Sequence, residues 1–313
     1  MKKPLIIIAG PTAVGKTDIS IEVAKKIDGE IVSADSMQIY KYLDIGSAKP
    51  TKEEIQGVTH YLIDEIDPRT EFSVSQYRDL AKKYIDKIIS KNKIPIVAGG
   101  TGLYVNSLIY DMDFSSAKSD NSIRERLTSE YERYGIEYLH SKLKEVDKDT
   151  AERIHPNNVR RVIRALEVYY STGESIKDFS KDLKISEDYD YILIGLNRDR
   201  EELYERVNKR VDIMVGSGLI DEVKKLVEMG LKVEDISMKG IGYKEVIAYL
   251  NGEYDLERAI ELIKRNTRRY AKRQLTWFKR YRNMKWFNID NDSDKEKIIN
   301  DIIQFVEGNI KFL

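Results

Sequence analysis

The segment that most constrains the fold of this chain is GPTAVGKT, Gly10–Thr17, which directly follows the apolar run LIIIAG at residues 5–10. The spacing Gly-x-x-x-x-Gly-Lys-Thr is that of a phosphate-binding P-loop, in its required context of a buried strand before and a helix after. Apolar Ile19, Val23 and Ile27 follow at helical spacing and predict that helix. The alternative is a chance match on a tight strand-to-helix turn, and both flanks argue against it. The motif predicts a polyphosphate site, but not which polyphosphate or which reaction.

Each residue type in this loop has a chemical task. Gly10 and Gly15 permit a tight wrap of backbone amides, which ends at a helix N-terminus where the dipole favours an anion. Lys16 supplies a point charge for the outer phosphate, and Thr17 offers a hydroxyl to Mg²⁺. The predicted diphosphate- or nucleotide-binding residues are Gly10, Pro11, Thr12, Ala13, Val14, Gly15, Lys16 and Thr17.

Composition limits the class of protein. The chain has 313 residues, 41% hydrophobic and 34% charged, which indicates a globular protein with a sizeable core and two domains. It contains no cysteine, which excludes disulfides, thiolate zinc sites and a cysteine nucleophile and fits a reducing cytoplasm. No apolar run approaches the length of a membrane span, and the run at 5–10 is too short for a signal peptide. We therefore expect a cytoplasmic monomer.

The order of predicted elements indicates an α/β fold. Up to about residue 110, strands alternate with helices, which implies a parallel sheet with helices on both faces. We predict strands at 5–10, 30–35 and 95–98, a strand or extended segment at 61–66, and an amphipathic helix at 75–91. From about Phe114 to Tyr189 the sequence is charged and helix-forming, and YILIG at 191–195 then restores a strand.

These changes in character predict three segments. They are a P-loop core at 1–113, an α-helical insertion at 114–189, and, at 190–313, the completion of the core with basic C-terminal helices and a short strand near 286–289. The predicted fold class is a P-loop NTPase-like parallel sheet core with an α-helical insertion domain and a helical, basic C-terminal region.

The C-terminal region carries a basic segment, although the net charge of the chain is +0. Residues 262–289 contain no Asp or Glu, and aromatic residues are interleaved with the cations. A solvated helix face and a polyanion-binding surface explain this composition equally well. The cations are Lys264, Arg265, Arg268, Arg269, Lys272, Arg273, Lys279, Arg280, Arg282 and Lys285.

Asp35 follows a predicted core strand, at the rim where α/β proteins build their sites. Spacing alone leaves three roles open: an N-cap for the next helix, a Mg²⁺ carboxylate, or a general base. Thr101, in GGTGLY, also lies at a predicted strand end. Arg206 and Arg210 lie one helical turn apart, where either could neutralise a departing phosphate or simply be solvated.

An ordered set of motifs along nearly the whole chain resembles the tRNA dimethylallyltransferases, also called tRNA isopentenyltransferases. The motifs are GPTAVGKT, SADSMQIYKYLDIGSAKP, VAGGTGLY, RRVIRALEVYYSTG, MKGIGYKEV and RNTRRYAKRQLTWFKR. The second and last are far more specific than the P-loop. The resemblance implies transfer of a dimethylallyl group from dimethylallyl diphosphate to the exocyclic amine of the adenosine 3′-adjacent to the anticodon, in tRNAs that read codons beginning with U, with Mg²⁺ as cofactor.

The resemblance also implies a role for individual residues. Asp35 would be the general base, Thr101 would position the reacting groups, and Arg210, or alternatively Arg206, would contact the diphosphate. Ser36, Met37 and Gln38 would line the pocket for the acceptor adenine, which must leave its stack to reach the site. The insertion would bind the anticodon arm, with Arg124, Val159, Arg160, Arg161, Val162 and Ile163 contacting tRNA.

Two other functions compete with this interpretation. A P-loop small-molecule or nucleotide kinase would turn over ATP and need no RNA. A nucleotide-gated RNA-binding protein without covalent chemistry would have no need for Asp35. The segments DSMQIY and RQLTWFKR argue against both.

Overall fold

A computed structural model describes residues 2–112, 120–176, 183–289 and 295–309, and all structural statements concern those residues. The predicted start of the insertion, Phe114, lies outside them. The chain separates into two compact units, one of Met1–Ile109 with Ser186–Leu313 and one of Tyr110–Ile185.

The larger unit contains a parallel sheet with the strand order β3-β2-β4-β1-β5-β6 within the described residues. β1 lies between β4 and β5, and its residues from Leu5 to Ala9 are buried, so an uninterrupted apolar run suits it. The parallel P-loop NTPase-like core predicted from the sequence is confirmed. The strands are β1 (Lys3–Ala9), β2 (Gly29–Ala34), β3 (His60–Tyr61), β4 (Ile94–Gly99), β5 (Tyr189–Asn197) and β6 (Met284–Asn288).

Two predicted boundaries differ from the structure. The segment predicted at 61–66 forms a strand only at His60–Tyr61, and Ile66 instead makes an isolated parallel bridge to Tyr40. β5 begins at Tyr189, which the sequence analysis assigned to the insertion. Its pairing starts opposite Lys3, so the strand is two residues longer at this end than the apolar run YILIG indicates.

Helices cover the sheet and complete the larger unit. The first helix, α1, starts at the P-loop lysine, Lys16, and buries Ile19 and Val23. The helices of this unit are α1 (Lys16–Lys26), α2 (Lys52–Ile55), α3 (Val74–Ser90), α4 (Gly102–Ile109), α8 (Arg200–Gly216), α9 (Leu219–Glu228), α10 (Tyr243–Leu250), α11 (Leu256–Phe278) and α12 (Lys295–Asn309). None of the described helices has the length and apolarity that a membrane span requires.

The smaller unit is helical and has its own core. It comprises α5 (Asn121–Val146), which is broken by the non-helical backbone of Gly135, α6 (Lys148–Arg153) and α7 (Val159–Thr172). Leu127, Leu143, Val162 and Leu166 are buried together between these helices. This unit therefore folds around apolar contacts that are separate from those of the sheet.

Candidate active site

The carboxyl ends of three neighbouring strands bring the predicted site residues together. Ala9 pairs with Gly99, and Ala34 pairs with the same Gly99, so β1, β2 and β4 end level with one another. The P-loop, Asp35 and Thr101 follow these ends directly. Parallel sheets place their ligand sites at this edge.

Two arginines of the larger unit hold the P-loop backbone. Nε of Arg198 donates to the Val14 carbonyl at 3.0 Å, and Nε of Arg206 donates to the Ala13 carbonyl at 3.0 Å. Gly15 has φ +105°, a left-handed conformation that side chains rarely adopt. Arg206 therefore contacts the loop itself, and this separates its position from that of Arg210.

A small cavity of about 90 Å³ lies against the P-loop, and we call it the smaller cavity. Its wall combines cationic, hydroxyl and carboxylate groups, which suits a phosphorylated ligand with a cation. The residues that matter here are Thr12, Lys16, Thr17, Asp35, Gln38, Arg210, Tyr270 and Gln274.

Lys16 is a buried cation that lies close to a second cation. Its Nζ donates to the Pro11 carbonyl at 2.8 Å. Burial lowers the pKa of Lys16 to about 8, the charge of Asp35 opposes this shift, and the charge of Arg210 adds to it. Burial and the charge of Arg206 likewise lower the pKa of Arg210. This arrangement favours an anion, since the negative charge of a bound diphosphate would stabilise the positive charges of both Lys16 and Arg210.

A larger cavity of about 330 Å³ adjoins the smaller one, and we call it the larger cavity. Ser36, Met37 and Lys244 line the larger cavity alone, whereas Asp35 and Arg210 line both. A carboxylate and a guanidinium thus lie at the junction of a phosphate-sized cavity and a wider one. Asp35 and Arg210 are the charged side chains in this shared wall, which also includes Thr12, Ser47, Ala48 and Tyr270.

The carboxylate of Asp35 organises the turn that follows β2. Its Oδ1 accepts hydrogen bonds from the backbone N–H of Met37 at 2.8 Å and of Gln38 at 3.3 Å. Residues 36–39 form a turn rather than a helix, so the helix N-cap alternative is wrong. Oδ2 has no hydrogen-bond partner within the described ranges and remains available for a proton.

The side chains of Thr101 and Gln38 hold segments around the site together by hydrogen bonds to their backbone groups. The Ser36 N–H donates to Oγ1 of Thr101 at 3.1 Å, which ties the turn after β2 to the loop after β4. Nε2 of Gln38 donates to the carbonyls of Ser47 and Ala48, at 3.3 and 3.0 Å. Gln38 lines the smaller cavity, not the larger one that Ser36 and Met37 line.

Comparison with known proteins identifies this constellation. A family model described as IPP transferase matches residues 38–281. The chain belongs to the IPP transferase family. It is 59% identical over 312 residues to the tRNA dimethylallyltransferase of Clostridioides difficile (strain 630), covering 99% of this chain and 100% of the relative. Its identity to the tRNA dimethylallyltransferase of Alkaliphilus oremlandii (strain OhILAs) is 55% over 313 residues, with complete coverage of both.

Solved structures of IPP transferases agree with the fold. The full-length tRNA isopentenylpyrophosphate transferase of Bacillus halodurans matches with a TM-score of 0.73 and 45% identity, over 98% of each chain. A eukaryotic dimethylallyltransferase, described as acting on tRNA, matches with a TM-score of 0.83 and 30% identity, over 99% of this chain and 81% of the other. The resemblance noted from the motifs is therefore confirmed.

Sequence analysis missed two IPP transferase side chains that enter the smaller cavity from α11. Oε1 of Gln274 accepts the Thr12 N–H at 2.8 Å, and its Nε2 donates to the Gly100 carbonyl at 2.9 Å. Burial and the charge of Asp35 raise the pKa of Tyr270 to about 12. The basic composition of α11 drew attention to its exposed face, whereas these residues lie on the face that packs on the site. The motif RNTRRYAKRQLTWFKR contains both, and was the available signal.

The residues of the helical unit that the family resemblance assigns to tRNA contact differ in how exposed they are. Val162 is fully buried in the core of this unit, so its side chain cannot contact RNA, and we remove it from the set. Arg124 donates to the buried carboxylate of Glu167. Arg160 and Arg161 are exposed and form no ion pair within the described residues. Val159 and Ile163 are half-buried.

The basic segment also divides into engaged and free cations. Lys264 pairs with Asp212 at 2.6 Å, and Arg268 donates to Asn208 at 2.5 Å, so these two residues help to dock α11 on α8. Arg265 and Arg269 are exposed, with no ion pair in the part of the chain that the structure describes. Together with the other exposed cations of the segment, these two arginines are candidates for a polyanion contact.

The smaller cavity offers oxygen ligands that suit Mg²⁺. No cluster of three or more His, Cys, Asp or Glu side chains suited to a metal is found among the described residues. Mg²⁺ commonly takes only one or two protein oxygens, with substrate phosphates and water completing its shell. Thr17 and Asp35 both line the smaller cavity and supply such oxygens. The residues therefore fit a Mg²⁺ that arrives with a diphosphate.

Proposed function

We propose that this IPP transferase moves a dimethylallyl group from dimethylallyl diphosphate to the exocyclic amine of the adenosine 3′-adjacent to the anticodon of tRNA. The carbon–oxygen bond to the diphosphate breaks, a carbon–nitrogen bond to the amine forms, and the amine loses one proton. The observation that carries the proposal is the position of Asp35 and Arg210, which line both cavities.

The smaller cavity holds the diphosphate in this proposal. Lys16 and Arg210 neutralise the negative charge that grows on the leaving group, and the P-loop amides bind its oxygens. The Thr12 N–H is already donated to Gln274, so the remaining amides of the loop do this work. Arg210 has the better position of the two arginines, because Nε of Arg206 is donated to the P-loop carbonyl of Ala13.

The larger cavity holds the acceptor adenine, flipped from its stack between the walls formed by Ser36 and Met37. An adenine amine is a weak nucleophile, because its lone pair is delocalised into the ring. Oδ2 of Asp35 takes the proton that the amine loses, while Oδ1 stays fixed by the turn. Thr101 holds Ser36 in place through its hydroxyl.

Thr17 is the residue that would hold Mg²⁺ on the donor side, while Asp35 takes the proton. When bound, the ion would supply further neutralisation of diphosphate charge.

Binding of tRNA is assigned to surfaces on both units. In the helical unit, exposed Arg160 and Arg161 contact the anticodon arm. Arg124 is proposed as a further tRNA-contacting residue of this unit. In the larger unit, Arg265 and Arg269 on α11 contact the RNA backbone. We further propose that the enzyme works as a monomer in the cytoplasm.

Incubation with labelled dimethylallyl diphosphate, Mg²⁺ and unmodified tRNA tests the proposal. We expect label in the RNA, and none when the adenosine next to the anticodon is replaced by guanosine. A parallel incubation with γ-labelled ATP tests the kinase alternative, which the family comparisons do not support. Phosphate transfer from ATP without prenyl transfer to RNA would overturn the proposal.

A further inference from the structure

The wall shared by the two cavities includes an irregular loop, residues 41–50, that contains no strand or helix. Ser47 and Ala48 of this loop line both cavities, and Gly46 lines the larger one. A wall without regular backbone hydrogen bonding needs another source of order. The loop makes a few backbone hydrogen bonds of its own, such as Lys49 N–H to the Asp44 carbonyl at 2.9 Å, and the side chains that bind it add further order.

One carboxylate binds this loop at three successive backbone amides. Oε2 of Glu222, in the first turn of α9, accepts the N–H of Asp44 at 2.9 Å and of Ile45 at 2.6 Å. Oε1 of Glu222 accepts the N–H of Gly46 at 3.0 Å. The hydroxyl of Tyr243 donates to the same Oε1 at 2.8 Å. Two carboxylate oxygens offer about four acceptor positions, so these donors use the full capacity of the group.

The loop also lies directly on an aromatic ring. Tyr243 is fully buried, and a Cβ atom added at Gly46 would lie 2.5 Å from its Cζ. Only glycine allows the backbone to approach the ring this closely. Glu222 therefore holds the backbone of residues 44–46 by hydrogen bonds, and the ring of Tyr243 supports it by packing.

The far end of the loop is connected to the catalytic turn. The carbonyls of Ser47 and Ala48 accept hydrogen bonds from Nε2 of Gln38. The N–H of Gln38 donates in turn to Oδ1 of Asp35. Hydrogen bonds, linked by the backbone of residues 46–48 and by Gln38 itself, therefore connect Glu222 to the carboxylate at the junction of the cavities.

We propose that Glu222 is a positioning residue for the acceptor side of the reaction. It holds the 41–50 loop as a wall of the larger cavity and, through Gln38, keeps Asp35 directed toward the amine. This inference rests on the proposed prenyl transfer. It assigns Glu222 no contact with substrate, and it predicts that losing Glu222 affects tRNA more than dimethylallyl diphosphate.

The first test compares Glu222→Gln with Glu228→Gln. Glu228 is exposed at the end of the same helix and has no ion pair within the described residues, so it is a matched control. Glu222→Gln keeps the size of the side chain but places an NH₂ group opposite the backbone N–H donors of the loop. We expect kcat/KM for tRNA to fall about tenfold, as for loss of a charge-assisted hydrogen bond, while the dissociation constant for inorganic diphosphate stays unchanged. Glu222→Asp, which keeps the carboxylate, should recover part of the loss.

The second test is a double-mutant cycle with Gln38→Ala. Residues in one hydrogen-bonded series are not independent, so the double variant should lose less than the product of the two single losses. Tyr243→Phe removes a single donor from Glu222, and serves if Glu222→Gln does not fold. It should lower kcat/KM for tRNA by a smaller factor, in the same direction.

The outcomes separate the two proposals. If the wild-type protein transfers no label to tRNA, the proposed function fails. If the wild type is active, any of three results overturns the positioning role. Glu222→Gln could leave kcat/KM for tRNA unchanged, or it could weaken diphosphate binding by the same factor as kcat/KM for tRNA. The third result is that the losses from Glu222→Gln and Gln38→Ala simply multiply in the double variant.

Discussion

Gln274 and Thr12 are joined by a hydrogen bond of 2.8 Å, although 262 positions separate them in the chain. The same amide of Gln274 donates to Gly100, so one side chain of α11 connects the P-loop to the loop after β4. The helix that carries much of the basic segment therefore also forms part of the donor site.

Replacing Gln274 by alanine is expected to weaken diphosphate binding about tenfold. The part-buried Thr12 N–H and the buried Gly100 carbonyl would both lose their partner; a hydrogen bond contributes about 0.5–1.5 kcal/mol net, and about 1.4 kcal/mol corresponds to tenfold. Isothermal titration with inorganic diphosphate measures the change. Thr276→Ala, on the exposed side of the same helix, is the control. An affinity equal to that of the wild type would show that the loop keeps its shape without Gln274.

The pKa of Lys16, about 8, predicts that diphosphate binding depends on pH. Below pH 8 the amine of the free protein is protonated and attracts the anion, and above pH 8 it is neutral. Between pH 7 and pH 9 the protonated fraction falls by about tenfold, and affinity should fall with it. Lys16→Ala removes this contribution while keeping the titration of the ligand itself. The ratio of the two dissociation constants should therefore shrink as the pH rises; a constant ratio contradicts the prediction.

Arg269→Ala should reduce the dependence of tRNA binding on salt. An arginine that neutralises one phosphate contributes about 1 to the slope of log affinity against log salt. Arg258 lies on the same helix but pairs with Glu261 at 2.8 Å, so Arg258→Ala is a matched control and should leave the slope unchanged. Filter binding over a series of salt concentrations gives both slopes. Equal slopes for all three proteins would favour a merely solvated helix face.

Val162→Ala is expected to destabilise the helical unit without changing the salt slope of tRNA binding. Val162 is fully buried, and shortening a core side chain costs about 1–3 kcal/mol. Arg161→Ala, one residue away and exposed, should do the reverse. Denaturant unfolding and RNA binding of the two variants measure the contrast. An altered slope together with unchanged stability in Val162→Ala would return this residue to the RNA-contacting set.

The sequence predicted those features that depend on local pattern. The P-loop, the strands that precede it and Asp35, and the short strand near the C-terminus each follow from a contiguous run of residues, and the structure contains them all. Val162 was assigned wrongly because a motif matches positions in the chain, whereas burial depends on how α7 packs on α5. The burial of that side chain is set by tertiary contacts.

The contacts that sequence analysis missed are all distant along the chain. Gln274 binds the P-loop from α11, Arg198 reaches Val14, and Glu222 binds the 41–50 loop from α9. Gln274 and Glu222 are polar residues on helices, where the expected place is a solvated face, and Arg198 lies in the short connection between β5 and α8. Only the three-dimensional structure shows that they satisfy backbone groups of the site.

In the proposed reaction, Asp35, at the junction of the two cavities, takes the proton from the adenine amine. The most direct measurement is the single-turnover rate of prenyl transfer by Asp35→Asn, with saturating tRNA and dimethylallyl diphosphate, over a range of Mg²⁺ concentrations. A positioned general base contributes about 10²–10⁴-fold to a rate. We predict a loss in this range, with unchanged tRNA affinity and no recovery at high Mg²⁺. A wild-type rate, or a rate that high Mg²⁺ restores, would contradict the account.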